Sequence, residues 1–164
     1  MRLHSSNAEE TREIASVVAG FCRAGDTVLL SGEMGAGKTV FAQGFGAAVG
    51  VREPITSPTF TLVNSHPAEG VTLHHADLYR LDRTAEIADL ALAELAELDG
   101  IVIVEWGEVT ADDLPGHLAV HIEPGDPDES EDVRCIELSA RGDRWAARWD
   151  RLSERLGVFR GEAC

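Results

Sequence analysis

The sequence predicts a single α/β domain, and three observations carry that expectation. Two short, continuously apolar runs, residues 26–31 (DTVLLS) and 101–104 (IVIV), have the composition of strands buried on both faces. Segments of helical periodicity alternate with them. A chain of 164 residues supports one hydrophobic core and leaves no room for separate catalytic and binding domains. Hydrophobic residues at 44% and charged residues at 26% are ordinary globular values, and no apolar run approaches the roughly 18 residues a membrane helix needs. The N-terminus MRLHSSNAEE has no apolar stretch of the signal-peptide kind, so the expected location is the cytoplasm, without membrane attachment.

Element by element, Ser6-Asn7-Ala8-Glu9 fits a capping box, and Ile14, Val17, Val18 and Phe21 recur at helical spacing, predicting a helix over 7–24 capped by Gly25. Residues 26–31 form the first strand, and the glycines of 32–39 break it before a helix to about 49. Two prolines make 53–58 (EPITSP) a loop. Residues 59–65 and 71–76 then read as a hairpin turning around Pro67 and Gly70. An alanine- and leucine-rich helix over 84–98 ends at Asp99-Gly100, and the strand 101–104 is closed by Glu105. Residues 117–123 and 133–140 alternate like half-buried strands around an exposed acidic loop, PGDPDESED. Trp145, Trp149 and Leu152 set a helical tail over 143–156, so the main domain is expected over 1–140, with 141–164 packed on it.

Fourteen basic against 29 acidic residues give a net charge of -15. Such a surface repels phosphate backbones, so stable autonomous nucleic-acid binding is not expected, and any RNA would be reached through protein partners. Cys22, Cys135 and Cys164 form no CxxC pair, and their odd number predicts free thiols. Thirteen of the fourteen basic residues are arginine, which makes Lys38, the only lysine, a residue with a local purpose.

That lysine belongs to Gly32-Glu33-Met34-Gly35-Ala36-Gly37-Lys38-Thr39, which matches G-x-x-x-x-G-K-[ST] between a strand and a helix, the context this motif requires. The fold class is therefore that of a P-loop NTPase. Glycines let backbone N–H groups curl around phosphate, Lys38 neutralises the β and γ phosphates, and Thr39 offers a hydroxyl to Mg²⁺. The nucleotide-binding segment is expected to run from Gly32 through Val40. An acidic group near the metal is also needed, and two strand ends offer one, Glu105 and Asp77. One would coordinate the metal and the other orient the attacking water. His74 and His75 point to opposite faces of a strand and cannot share a metal; each is expected to be a satisfied or surface histidine. Trp106 is either a core residue or a lid on the nucleotide pocket. Neither a Ser/His/Asp arrangement nor zinc-ligand spacing is visible.

With the P-loop, Ser57-Pro58-Thr59-Phe60-Thr61-Leu62-Val63, His75-Ala76-Asp77-Leu78-Tyr79-Arg80-Leu81 and Val104-Glu105-Trp106 in this order, the chain resembles the bacterial TsaE family of small P-loop ATPases over roughly 5–140. The resemblance implies a mixed sheet flanked by helices and a switch segment, 57–61, over the nucleotide, with Thr59 in it. It implies Thr39 and Glu105 as Mg²⁺ holders, Asp77 near the γ phosphate and Trp106 close to the nucleotide. It further implies ATP hydrolysis on behalf of the TsaD and TsaB proteins, which make threonylcarbamoyladenosine at position 37 of tRNA. Two other readings compete. A small-molecule kinase of shikimate-kinase type shares the G-x-M-G-A-G-K-[ST] motif and would use a lid arginine such as Arg80 or Arg83; a nucleotide-dependent scaffold would turn over little ATP.

Overall fold

A computed structural model describes the chain except residues 59–61, 80–90, 98, 108–110, 113, 115, 127, 129 and 162–164. Seven strands form one mixed sheet in the order β1-β7-β6-β2-β5-β4-β3: β1 Arg2–Ser5, β2 Thr27–Ser31, β3 Val63–Pro67, β4 Thr72–Asp77, β5 Gly100–Glu105, β6 His117–Pro124 and β7 Arg134–Arg141. The four middle strands, β6, β2, β5 and β4, run parallel, and the antiparallel pairs β4–β3, β6–β7 and β7–β1 complete the sheet on either side. The helices are α1 Ala8–Phe21, α2 Lys38–Val49, α3 Leu92–Glu97 and α4 Asp143–Arg155, followed by a 3-10 turn at Leu156–Phe159. Among the described residues no helix is long and apolar enough to cross a membrane.

Burial on both faces explains why β2 and β5 are apolar without interruption. Val28 and Leu30 of β2, with Ile101 and Ile103 of β5, join the larger core under α1, α2 and α4, where Ile14, Phe41, Phe45 and Trp145 pack. Leu29, Val102 and Val104 point to the other face and meet Leu92 and Ala96 of α3. The period-2 alternation also assigns the odd-numbered positions 73, 75 and 77 of β4 and 101, 103 and 105 of β5 to the α2 side. This parity brings Asp77, His75 and Glu105 to the face that carries the glycine loop.

Several boundaries differ from the expectation. Helix α1 is capped one residue late: Asn7 Oδ1 accepts the amides of Glu9 and Glu10 at 2.9 and 3.0 Å, and the Glu10 carboxylate accepts the Ser6 amide at 2.7 Å. Strand β1, too short to be visible in the sequence, runs to Ser5 and leaves Ser6 to turn the chain. The helix stops at Phe21 rather than 24, because the Asp26 carboxylate captures the Arg23 amide at 2.7 Å and draws 22–25 into a turn. In the hairpin, β3 begins at Val63 and Leu62 precedes it with φ +62°; residues 59–61 lie outside the described residues. Most of the helix expected over 84–98 also lies outside them; α3 is its described portion. Cys22 is a free thiol whose pKa is pushed well up, first by burial and then by Asp26, which leaves it unreactive. Cys135 is disulfide-bonded, correcting the expectation of three free thiols, since a cysteine count carries no geometry.

One buried ion pair joins α4 to the start of β2. Arg148 donates to both oxygens of Asp26 at 2.6 and 2.9 Å and to the Phe21 carbonyl at 2.6 Å, while its guanidinium lies 4.3 Å from the centre of the Trp145 ring. The hydrogen bond with Asp26 raises the Arg148 pKa above its ordinary value. Asp26 is 2% exposed, so removing Arg148 leaves its charge with only the Arg23 amide and the more distant Arg144, 3.9 Å away. Arg148→Met is expected to lower unfolding free energy by about 3 kcal/mol in urea titration, and adding Asp26→Asn to recover part of that loss. A single-variant loss below about 1 kcal/mol would mean that the pair holds nothing in place.

Candidate functional site

The site forms where the parallel strands end, the position at which open α/β sheets hold ligands. After Ser31 the chain turns at Gly32, φ +132°, where a Cβ would stand 2.0 Å from the Ile122 carbonyl oxygen of β6. Only glycine lets the loop leave the sheet this close to its neighbour. The loop closes at Gly37, φ +110°, which is the N-cap of α2 and offers no capping side chain. The first amides of α2 are thus left for a ligand, and the helix dipole favours an anion there.

Lys38 is buried at 5% exposure, with Nζ donating to the carbonyls of Gly32 at 2.7 Å and Glu33 at 2.8 Å and lying 4.0 Å from the centre of the Trp106 ring. It closes its own loop as a clasp. Thr39 Oγ1 donates toward Glu105, at 3.2 Å from Oε1 and 3.4 Å from Oε2. Register explains the meeting: Glu105 pairs with Leu30 on one side and with Asp77 on the other, so both acidic strand ends stand level beside the loop that follows β2. Asp77 accepts the Ser57 hydroxyl at 2.6 Å and the Tyr79 amide at 3.0 Å.

These groups surround a cavity of about 450 Å³ lined by Met34, Gly35, Gly37, Lys38, Thr39, Val40, Ser57, Asp77, Tyr79, Glu105 and Trp106. Of the sequence-predicted residues, Gly32, Glu33 and Ala36 do not line it: Gly32 and Glu33 present carbonyls to Lys38, and Ala36 is 2% exposed. Thr59, and the arginines Arg80 and Arg83, lie outside the described residues. Trp106 is held at φ +60°, a left-handed conformation that costs a non-glycine residue on the order of 1–3 kcal/mol, and packs against Tyr79 with ring centres 5.0 Å apart and planes tilted by 45°. It is a wall of the cavity, half-buried and packed on its other side against the smaller core.

Two contributors, Tyr79 and His75, escape sequence reasoning, while Ser57 opens the segment expected over the nucleotide. Ser57 and Tyr79 reach the cavity through the loops flanking β3 and β4. His75, fully buried, places Nε2 2.9 Å from Glu105 Oε1. Because a carboxylate only accepts, Nε2 carries the proton, and the ring braces Glu105 from behind. His74 points the other way, to Ser65 at 2.8 Å, with its pKa lowered by burial. The two histidines lie on opposite faces as expected, but among the described residues His75 Nδ1 is buried without a hydrogen-bond partner, and alternation alone gave no hint that Nε2 meets Glu105.

The cavity combines one ammonium with two carboxyl groups, a set that repels a polyphosphate unless a cation intervenes. A hydroxyl and a carboxylate oxygen 3.2 Å apart suit adjacent positions on a Mg²⁺ ion, whose ligands stand at about 2.1 Å. Among the described residues no group of three or more His, Cys, Asp or Glu could hold a metal. Mg²⁺ takes one or two protein ligands and completes its shell with phosphate and water.

A family model described as threonylcarbamoyl adenosine biosynthesis protein TsaE matches residues 5–134. The chain belongs to the TsaE family. Relatives carrying the name tRNA threonylcarbamoyladenosine biosynthesis protein TsaE include one from Streptomyces coelicolor, 40% identical over 139 residues, covering 82% of this chain and 93% of the relative. Another, from Bacillus subtilis, is 34% identical over 159 residues, covering 96% of this chain and 97% of the relative. The crystal structure of Bacillus subtilis YdiB superimposes with a TM-score of 0.71 at 30% identity over 96% of this chain and 94% of that one. TsaE membership weighs against the small-molecule kinase reading, which rested on the P-loop motif, the chain length and the arginines Arg80 and Arg83.

Proposed function

We propose that this chain hydrolyses ATP with Mg²⁺ and serves the formation of threonylcarbamoyladenosine at adenosine 37 of tRNA by acting on the TsaD–TsaB complex. The observation that carries the reading is the convergence of Lys38, Thr39, Asp77 and Glu105 around one cavity at the ends of three adjacent strand and loop units. Bound Mg²⁺ would draw charge from the β and γ phosphates; Thr39 and Glu105 would hold it, with His75 fixing the carboxylate. Lys38 would exchange its two carbonyl partners for phosphate oxygens, supported by the α2 amides as negative charge builds on the leaving ADP. Asp77 keeps acceptor capacity on both oxygens after its bonds to Ser57 and Tyr79, so it can orient a water for attack on the γ phosphorus and receive the water's proton as the β–γ bridging bond breaks.

The bond between Ser57 and Asp77 attaches the following segment to the reaction centre, and we assign Thr59 in that segment to sensing the γ phosphate. The main domain over 1–140 and the tail over 141–164 then act as one unit. At a net charge of -15 the chain would meet tRNA only through its partners. Nucleotide state is expected to change affinity for TsaD–TsaB by about tenfold or more, which by linkage is about 1.4 kcal/mol of coupling. Calorimetry on the ATP and ADP forms at one salt concentration reads this directly, and equal affinities would contradict the switch.

A further inference from the structure

Behind the glycine loop stands a second cation. Arg134, the first residue of β7, donates from Nε to the Ala36 carbonyl at 2.8 Å and from Nη1 to the carbonyls of Glu131 at 2.5 Å and Val133 at 2.7 Å. It does not line the cavity, whereas Gly35 and Gly37, on either side of Ala36, do. No described peptide bond is cis, and in a trans peptide the carbonyl points opposite to the next residue's N–H. With the Ala36 oxygen drawn back to Arg134, the Gly37 N–H points away from that side chain, and Gly37 itself lines the cavity. We propose that Arg134 is a positioning residue of the P-loop: its Nε–H holds the Ala36–Gly37 peptide so that the Gly37 amide is aimed at a bound phosphate.

The loop needs such a holder. The Ala36–Gly37 peptide turns about ψ of Ala36 and φ of Gly37, which stands at +110°, and with glycine on that side it rotates at little steric cost unless its carbonyl is held. The Lys38 tether on the Gly32 and Glu33 carbonyls is given up when Lys38 turns to phosphate, and the Ala36 amide, bonded to the Glu33 carbonyl at 3.1 Å, fixes the other side of Ala36 and not its carbonyl. Arg134 acts from the opposite side and does not compete with the ligand, so its hold persists in the bound state.

The inference rests on the nucleotide-site reading, and its test separates the two. Glutamine places an N–H donor the same number of bonds from the backbone as arginine Nε, without charge; methionine places a methyl group there. Calorimetric titration with ADP and Mg²⁺ is expected to give Arg134→Gln within about threefold of wild type and Arg134→Met about tenfold weaker, each with cooperative thermal unfolding. Arg134→Met binding like wild type overturns the proposal, as does Arg134→Gln falling with Arg134→Met while Arg134→Lys is unaffected, a pattern that indicates charge alone. Wild-type protein that binds neither ATP nor ADP overturns the nucleotide-site reading and this inference with it. Should Arg134→Met not fold, the Gly37 amide resonance decides: a downfield shift on adding ADP is expected in wild type and Arg134→Gln, and an unmoved resonance in wild type overturns the proposal.

Discussion

Lys38→Ala is expected to weaken ATP binding at least about a hundredfold, because in the proposed complex the ammonium would face two phosphates and each charge-assisted bond is worth about 1.5–3 kcal/mol. The substitution also removes the clasp between Lys38 and the Gly32 and Glu33 carbonyls and the contact with Trp106, so the empty loop loses order as well. Sequence reasoning treats this side chain as an exposed loop residue; at 5% exposure it is a buried one, and the variant's melting temperature belongs beside its affinity. Calorimetry checks the effect, and an affinity within about twofold of wild type contradicts the P-loop reading. As the only lysine, Lys38 also gives a chemical test: amine modification away from the N-terminus should be blocked by ATP.

Glu105→Ala is expected to separate metal dependence from nucleotide binding. ATP affinity without Mg²⁺ should stay within about threefold of wild type, since the backbone amides remain, while the gain on adding Mg²⁺ disappears and turnover falls about a hundredfold or more. The substitution leaves the buried His75 without its partner, which costs stability of about 1–3 kcal/mol in its own right. Glu105→Gln is the control, because an amide can still bond His75 but is a poor Mg²⁺ ligand. Measurement of ATP affinity against Mg²⁺ concentration decides the matter. If Asp77→Ala damages metal dependence more than Glu105→Ala does, the two roles are exchanged.

Where function coincides with local pattern, the sequence was readable. Strands β2 and β5 sit in the middle of a parallel sheet, and burial on both faces left continuous apolar runs that located the P-loop and Glu105. The glycine loop was legible because its motif is local. What depends on register was not. Alternation places His75 on one face of β4, but only the pairing of Asp77 with Glu105 brings it against that carboxylate. Arg134 lies 98 residues from Ala36, a contact without local trace. Strand β1 has four residues at the sheet edge, too few for a period to show, and the capping box placed the cap of α1 one residue early because nothing local shows that β1 uses the chain up to Ser5.

The central claim is that the cavity beside Lys38 and Glu105 turns over ATP on behalf of a partner complex. Phosphate and ADP release from ATP, followed with the wild-type chain alone and with TsaD–TsaB added, tests it most directly. The account predicts Mg²⁺-dependent release of the two products in equal amounts, faster with TsaD–TsaB and absent in Lys38→Ala. ADP appearing without free phosphate, or no ADP formed with both partners and Mg²⁺ present, would contradict it.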